Sequence, residues 1–111
     1  MGIQSWSDYI ILMDLPRELQ EHNQLQTVIE AVRQKSDCSV VIDFSNVDIV
    51  GSTTFAQLLE LRQALHDRGH TLVLCGVSPA TKGVFIVSRL DGLFDFVADR
   101  FAALATLQMI G

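Results

Sequence analysis

Apolar residues along this chain alternate between short continuous runs and helical stripes. Val40 to Phe44 is short, continuous and largely β-branched, as expected for a strand covered on one or both faces. Thr71 to Cys75 reads as a second buried strand. Upstream, Ile3 to Leu15 carries Trp6 and then Tyr9-Ile10-Ile11-Leu12-Met13, bounded by Ser7-Asp8 and by Pro16, a pattern that suits two short strands joined by a tight turn. Leu93 to Val97 reads as a short edge strand.

Between these runs the period lengthens to that of a helix. Leu25, Val28, Ile29 and Val32 recur at i, i+3, i+4 and i+7, with Gln26, Glu30 and Arg33 facing away. This helix is expected to follow a start signal at Pro16 and to end before Ser36-Asp37. Phe55, Leu58, Leu61 and Leu65 form the core line of a longer helix, opposite Glu60, Gln63 and Asp67, with Gly69 as its stop. Ser78-Pro79 signals a third helix, containing Val84 and Val87 and ending near Leu90. Asp99 is placed to cap a last one, with Phe101, Leu104 and Ala105 inward. Strand and helix alternate from Val40 onward, which implies right-handed crossovers. The expected fold class is α/β: a single layer of mixed, mostly parallel sheet with an N-terminal antiparallel hairpin and about four helices. Residues 1–111 form one domain.

Composition narrows the function. A chain of 111 residues buries roughly two-thirds of its unfolded surface and needs no metal or disulfide staple. Apolar residues make up 49% and charged residues 19%, which points to an ordered domain. The net charge is −5, and the eight Lys and Arg are nowhere clustered, so neither nucleic acid nor an anionic membrane is an expected partner. No apolar run approaches ~18 residues, so no membrane insertion is expected. Met1-Gly2 is followed by Trp6 where a myristoylation signal wants Ser or Thr. A cytoplasmic location is expected. Cys38 and Cys75 fit no CxxC pattern, and Cys75 is expected as a buried core thiol.

Enzyme signatures are missing. Neither GxGxxG nor GxxxxGK[ST] occurs, and Gly51-Ser52-Thr53 lacks the flanks of a GxSxG elbow. His22, His66 and His70 fall in polar helical or helix-end positions. His66 and His70 are four apart, but Gly69 interrupts the helix that would align them as metal ligands. Asp43 and Asp48 lack the converging carboxylates that Mg²⁺ requires. No catalytic residue, metal or cofactor is expected.

The run Ser52-Thr53-Thr54 stands at a helix entrance. A hydroxyl at the N-cap accepts a hydrogen bond from the N2 or N3 amide, worth ~1 kcal/mol. Only one of the three can be that cap, which leaves the others in first-turn positions pointing to solvent. A phosphate there adds a charge of about −1.5 to −2, which the helix N-terminus favours. On spacing alone, cap and switch both stay open.

Four segments resemble the STAS domain family, as found in anti-sigma factor antagonists. Val40 to Val47 is similar to the family's VVLDLSGV strand, and Val50 to Leu59 to its DSSGLGVLL turn and helix. Leu72 to Pro79 is similar to LVLCGVSP, and Leu90 to Phe96 to LDRLFEF. The resemblance spans Ile3 to Leu107 with order and spacing intact. Gly51 stands where the motif has Asp, and Thr54 where it has Gly.

The resemblance implies a regulatory module that binds an anti-sigma factor/serine-threonine kinase. Phosphorylation in the turn would switch binding off, and a phosphatase would restore it. The acceptor position falls on Thr53, with Ser52 second. The implied partner face includes Gly51, Thr54 and Gln57 on the turn and helix, with Gly76, Val77 and Ser78 on the neighbouring loop; weak homodimerisation stays open. The alternative is a STAS scaffold subunit, never phosphorylated, in a signalling assembly or beside a lipid-transport ATPase. A small enzyme or nucleotide binder using the Ser52–Thr54 turn is a third reading.

Overall fold

The computed structural model describes residues 2–7, 9–17, 24–34, 38–47 and 50–110. Its elements are β1 (Gly2–Ser7), β2 (Ile10–Asp14), α1 (Gln24–Gln34), β3 (Ser39–Asp43), α2 (Ser52–His66), β4 (Leu72–Cys75), α3 (Pro79–Val87), β5 (Asp95–Val97) and α4 (Arg100–Ile110). A single 3-10 turn, Asp91–Leu93, precedes β5.

The five strands form one sheet in chain order. Strands β2 to β5 are parallel: Leu12 lies opposite Val41, Val41 opposite Val73, and Val73 opposite Asp95. Strand β1 pairs antiparallel with β2, Ile3 opposite Met13, with an irregularity between Ser5 and Ser7.

Order and handedness together settle where the helices go. Three successive crossovers of one hand, each moving one place along the sheet, put their helices on the same face. The core confirms it. Met13, Val40, Ile42, Leu72 and Leu74 pack with Leu25, Ile29, Leu58, Leu61, Leu65 and Phe85 from α1, α2 and α3. The alternate residues Leu12, Val41, Val73 and Cys75 face the other way, against Ala103 and Leu107 of α4. Period-two alternation therefore feeds two cores, and the apolar strands are covered on both faces. Each fully buried Leu stabilises the fold by roughly 1.5–3 kcal/mol.

The α1 stripe of Leu25, Val28, Ile29 and Val32 is buried, as its spacing requires. The described part of that helix begins at Gln24; the stretch 18–23 that links it to Pro16, and 35–37 after it, lie outside the described residues. Helix α3 stops at Val87, short of Leu90, because Arg89 takes a left-handed φ of 61°. Strand β5 begins at Asp95, because Leu93 closes the 3-10 turn instead. Asp99 does cap α4, its carboxylate accepting from the Ala102 N–H at 2.8 Å. Phe101 is 74% exposed and Ala105 is exposed as well, contrary to expectation. The inward line of α4 is the i, i+4 pair Ala103 and Leu107 with Leu104 half-buried beside it, and Phe101 lies off that line.

Candidate functional site: two helix entrances at the carboxyl edge of the sheet

The chain leaves β3 and β4 at their carboxyl ends and enters α2 and α3 there, the edge where open α/β sheets present their sites. At the first entrance the N-cap is Gly51, extended at φ −97°, ψ 174°, with no side-chain cap. Its carbonyl accepts from the Thr54 and Phe55 N–H groups at 3.1 and 3.3 Å. Ser52, Thr53 and Thr54 are therefore the first three helical residues, and none of the hydroxyls is the cap that the sequence led us to expect. The reason is local: Gly51 itself adopts the extended cap conformation, one residue earlier.

The helix period then sorts the three. Ser52 and Thr53 are exposed, whereas Thr54 is buried at 3%. Thr54, Leu58, Leu61 and Leu65 lie on one inward stripe, and Gln57 is buried beside it at 7%. Thr54 and Gln57 were expected on the partner face; their burial takes them off the surface. What remains exposed at this entrance is Gly51, Ser52, Thr53 and Ala56.

The second entrance is closed by its own residues. Ser78 Oγ accepts from the Thr81 N–H at 3.1 Å and lies 3.1 Å from Thr81 Oγ1, and Pro79 opens the helix. Gly76 precedes it with a φ of +66°, donating its N–H to the Ala98 carbonyl at 3.2 Å. A Cβ at Gly76 would run into Ser45 Oγ and come within 3.1 Å of Asp43 Oδ1, so this glycine is required twice over. Val77 is half-buried and Ser78 exposed.

Beneath both loops lies a charge cluster that sequence reading missed. Asp14 and Asp43 end adjacent parallel strands in register, which places two carboxylates side by side. Arg100, the first residue of α4, bridges them: its Nε and Nη2 donate to Asp43 Oδ2 at 3.0 and 2.8 Å, and Nη2 also donates to Asp14 Oδ1. Asp43 Oδ1 accepts the Ser45 N–H at 2.8 Å and the Ser45 hydroxyl at 2.5 Å. Burial pushes the Asp43 carboxyl up, but the two Ser45 donors and the Arg100 guanidinium together outweigh it and hold the group below its ordinary value. Hydrogen bonding to Asp43 foremost, against some burial, raises Arg100 further. Cys75 is buried alongside; burial and the charge of Asp43 push its thiol up to about 12, leaving it an inert core thiol. The only signal in the sequence was an acid at the end of each of two apolar strands, and the cation that answers them is 57 residues away from Asp43.

Asp43 is thus spoken for by Arg100 and Ser45, and Asp48 lies outside the described residues. Among the described residues no three His, Cys, Asp or Glu side chains converge as a metal site would need. Among them also, no helix is long and apolar enough to cross a membrane. His66 ends α2 and His70 follows Gly69, whose φ of +74° turns the chain away from the helix.

The domain is thus a mostly parallel sheet with its crossover helices on one face and an exposed hydroxyl turn at its carboxyl edge. A family model described as "Mlab, STAS domain" matches residues 18–98, and the chain belongs to that family. STAS domains of the anti-sigma factor antagonist type are non-enzymatic regulatory binding proteins. Solved structures share the fold at low identity. SpoIIAA, an anti-sigma factor antagonist in its unphosphorylated form, is 16% identical with a TM-score of 0.84, covering 99% of this chain and 97% of that one. The Bacillus SpoIIAA in its phosphorylated form gives a TM-score of 0.74 at 16% identity, over 95% and 97% of the two chains. A STAS domain protein from Planctomyces limnophilus is 19% identical with a TM-score of 0.79, over 97% and 99%. A chain of the stressosome, a signal integration and transduction hub, is 20% identical with a TM-score of 0.78, over 98% and 97%.

Proposed function

We propose that this STAS domain is an anti-sigma factor antagonist in the cytoplasm, binding an anti-sigma factor/serine-threonine kinase and switched off by phosphorylation of Thr53, with Ser52 the second acceptor. One observation narrows the choice: of the three hydroxyls Thr54 is buried, while Ser52 and Thr53 are exposed at the first two positions of α2, and of these two Thr53 is the one that falls on the acceptor position of the family's motif. Gly51 contributes no side chain to that turn, so nothing at the N-cap competes with an incoming phosphate for the first-turn amides. The phosphate adds about −1.5 to −2 of charge where the helix tolerates it and where a docked partner would have to desolvate it. Gly76, Val77 and Ser78 supply the neighbouring rim of the face.

The test is a pulldown against the cognate kinase. Thr53→Glu loses binding about tenfold or more, and Thr53→Ala keeps it, since only the first places charge in the face. Equal affinities for the two variants sink the switch. Intact mass with site mapping on protein from its own cells then reports whether the turn carries phosphate.

The alternative is a scaffold subunit that is never phosphorylated, within a signalling or lipid-transport complex. Gly51, where the family motif has Asp, and the likeness to a stressosome chain favour it. A stable large complex on size exclusion, with no phosphate on Ser52 or Thr53, decides for it.

A further inference from the structure

Helix α3 turns three β-branched apolar side chains to solvent: Val84, Ile86 and Val87 are 44%, 53% and 84% exposed. Such residues are poor helix formers and bring nothing to the fold from outside it. Leu93, 40% exposed, extends the patch from the 3-10 turn that packs on α3. Several exposed apolar side chains gathered on one helix and the turn packed beside it are the kind of surface that marks an interaction site.

The end of the same helix carries an independent sign. The Arg89 N–H donates to the Ile86 carbonyl at 3.0 Å and the Leu90 N–H to the Phe85 carbonyl at 2.8 Å, the paired closure whose left-handed residue is ordinarily glycine. Helix α2 ends with the same pair of bonds, from Gly69 to His66 and from His70 to Leu65, and there the left-handed residue is glycine. At α3 it is arginine, held at φ 61° against its own Cβ. Arg89 is exposed and makes no ion pair among the described residues. Strain kept at an exposed cation points to a use for the charge.

Cations also border the rest of the patch. Lys82 sits 4.4 Å above the Phe96 ring, and Arg62 donates to the Leu93 carbonyl at 2.5 Å. Across residues 79–94 Asp91 is the sole acid, in a chain whose net charge is −5. We infer that the outward face of α3 docks an amphipathic helical segment of a partner protein, apolar along one stripe and flanked by acidic side chains, apart from the Thr53 turn. The stripe meets Val84, Ile86, Val87 and Leu93, and the acids meet Arg89, Lys82 and Arg62. A bilayer is the poorer occupant, because the patch is no more than a nine-residue helix and one side chain of the adjoining turn, and the chain's net charge opposes an anionic surface.

The test uses the whole chain with three probes: a synthetic helical peptide with a leucine stripe flanked by Glu, its Lys-flanked counterpart, and phosphatidylglycerol vesicles. The Glu-flanked peptide binds about tenfold tighter than the Lys-flanked one, and added salt narrows the gap. Val87→Ser weakens that binding about tenfold. Arg89→Gly weakens it about fivefold while raising Tm by about 4–8 °C, because the substitution removes both the charge and the strain. Thr53→Glu leaves peptide binding unchanged, so failure here and failure of the phosphorylation reading are separate results. No preference between the peptides overturns the inference, as does binding to vesicles alone. Dimerisation abolished by Val87→Ser, an unmoved Tm in Arg89→Gly, or equal weakening by Thr53→Glu overturns it too.

Discussion

Helices α2 and α3 both start from the carboxyl edge of the same sheet, yet their entrances are built in opposite ways. At α3 the chain satisfies itself: Ser78 caps the first turn, Pro79 opens it, and Gly76 lets the loop lie directly on Ser45 and Asp43. At α2 the cap is a glycine with open space around its Cα, and the hydroxyls come one to three residues too late to cap anything. An entrance that is closed by its own side chains stabilises the fold. One that is left open keeps first-turn amides and hydroxyls available to something else. The pair of glycines makes the contrast concrete, since Gly76 has no room for a methyl group and Gly51 has room to spare.

The largest effect follows from those glycines. Gly76→Ala should cost about 2–4 kcal/mol in chemical denaturation, from a left-handed φ and a collision with the Ser45 turn. Gly51→Ala should cost only about 0.5–1 kcal/mol, the difference between glycine and alanine as caps. Similar losses at both positions would break the comparison at its root.

Arg100 tests what holds the two loops from below. Arg100→Met should lose about 1–2 kcal/mol at neutral pH, a figure reduced for the partial exposure of the guanidinium. The loss has a defined pH dependence. Asp43 is held below its ordinary value when folded, so its contribution is complete above about pH 4 and disappears as the pH falls through the lowered folded value. Melting curves of the native protein and the variant should therefore converge in acid, and curves that stay parallel down to about pH 2 would remove Asp43 from the account. The smallest effects probe the caps directly. Ser78→Ala should lose about 1 kcal/mol, whereas Gly51→Ser should gain a few tenths by supplying the missing cap. A gain at Gly51 combined with weaker kinase binding would sharpen the contrast into a trade between stability and docking.

Much of this architecture was readable beforehand. The α1 stripe, the covered strands at Val40 and Leu72 and the Gly69 stop all rest on local periodicity or local backbone preference, which a sequence displays directly. The exposed acceptor candidates Ser52 and Thr53 were also visible, because a hydroxyl run before an apolar stripe marks a helix entrance. The errors share a cause. Thr54 and Gln57 were placed on the partner face by the family resemblance, yet the α2 stripe rotates them inward. Phe101 was placed inward on one line with Leu104 and Ala105, yet α4 offers the sheet only Ala103, Leu104 and Leu107. Helix phase is set by what packs on either side, and neither a motif match nor local spacing fixes it.

Sequence alone determined the alternation of strand and helix, the apolar positions that must be covered and the location of a hydroxyl-rich turn after the third strand. Those are properties of neighbours within a few residues, and the chain carries them wherever it goes. Tertiary structure decided which hydroxyl is exposed, which cation neutralises Asp14 and Asp43, and how Phe85 comes to lie edge-on to Phe55, Phe94 and Phe96 at centroid distances of 4.7, 5.6 and 5.2 Å. It also decided that Val84, Ile86 and Val87 of α3 end up outside while Phe85 of the same helix goes in. Each of those outcomes depends on groups brought together across tens of residues by the sheet, and no local pattern encodes the meeting.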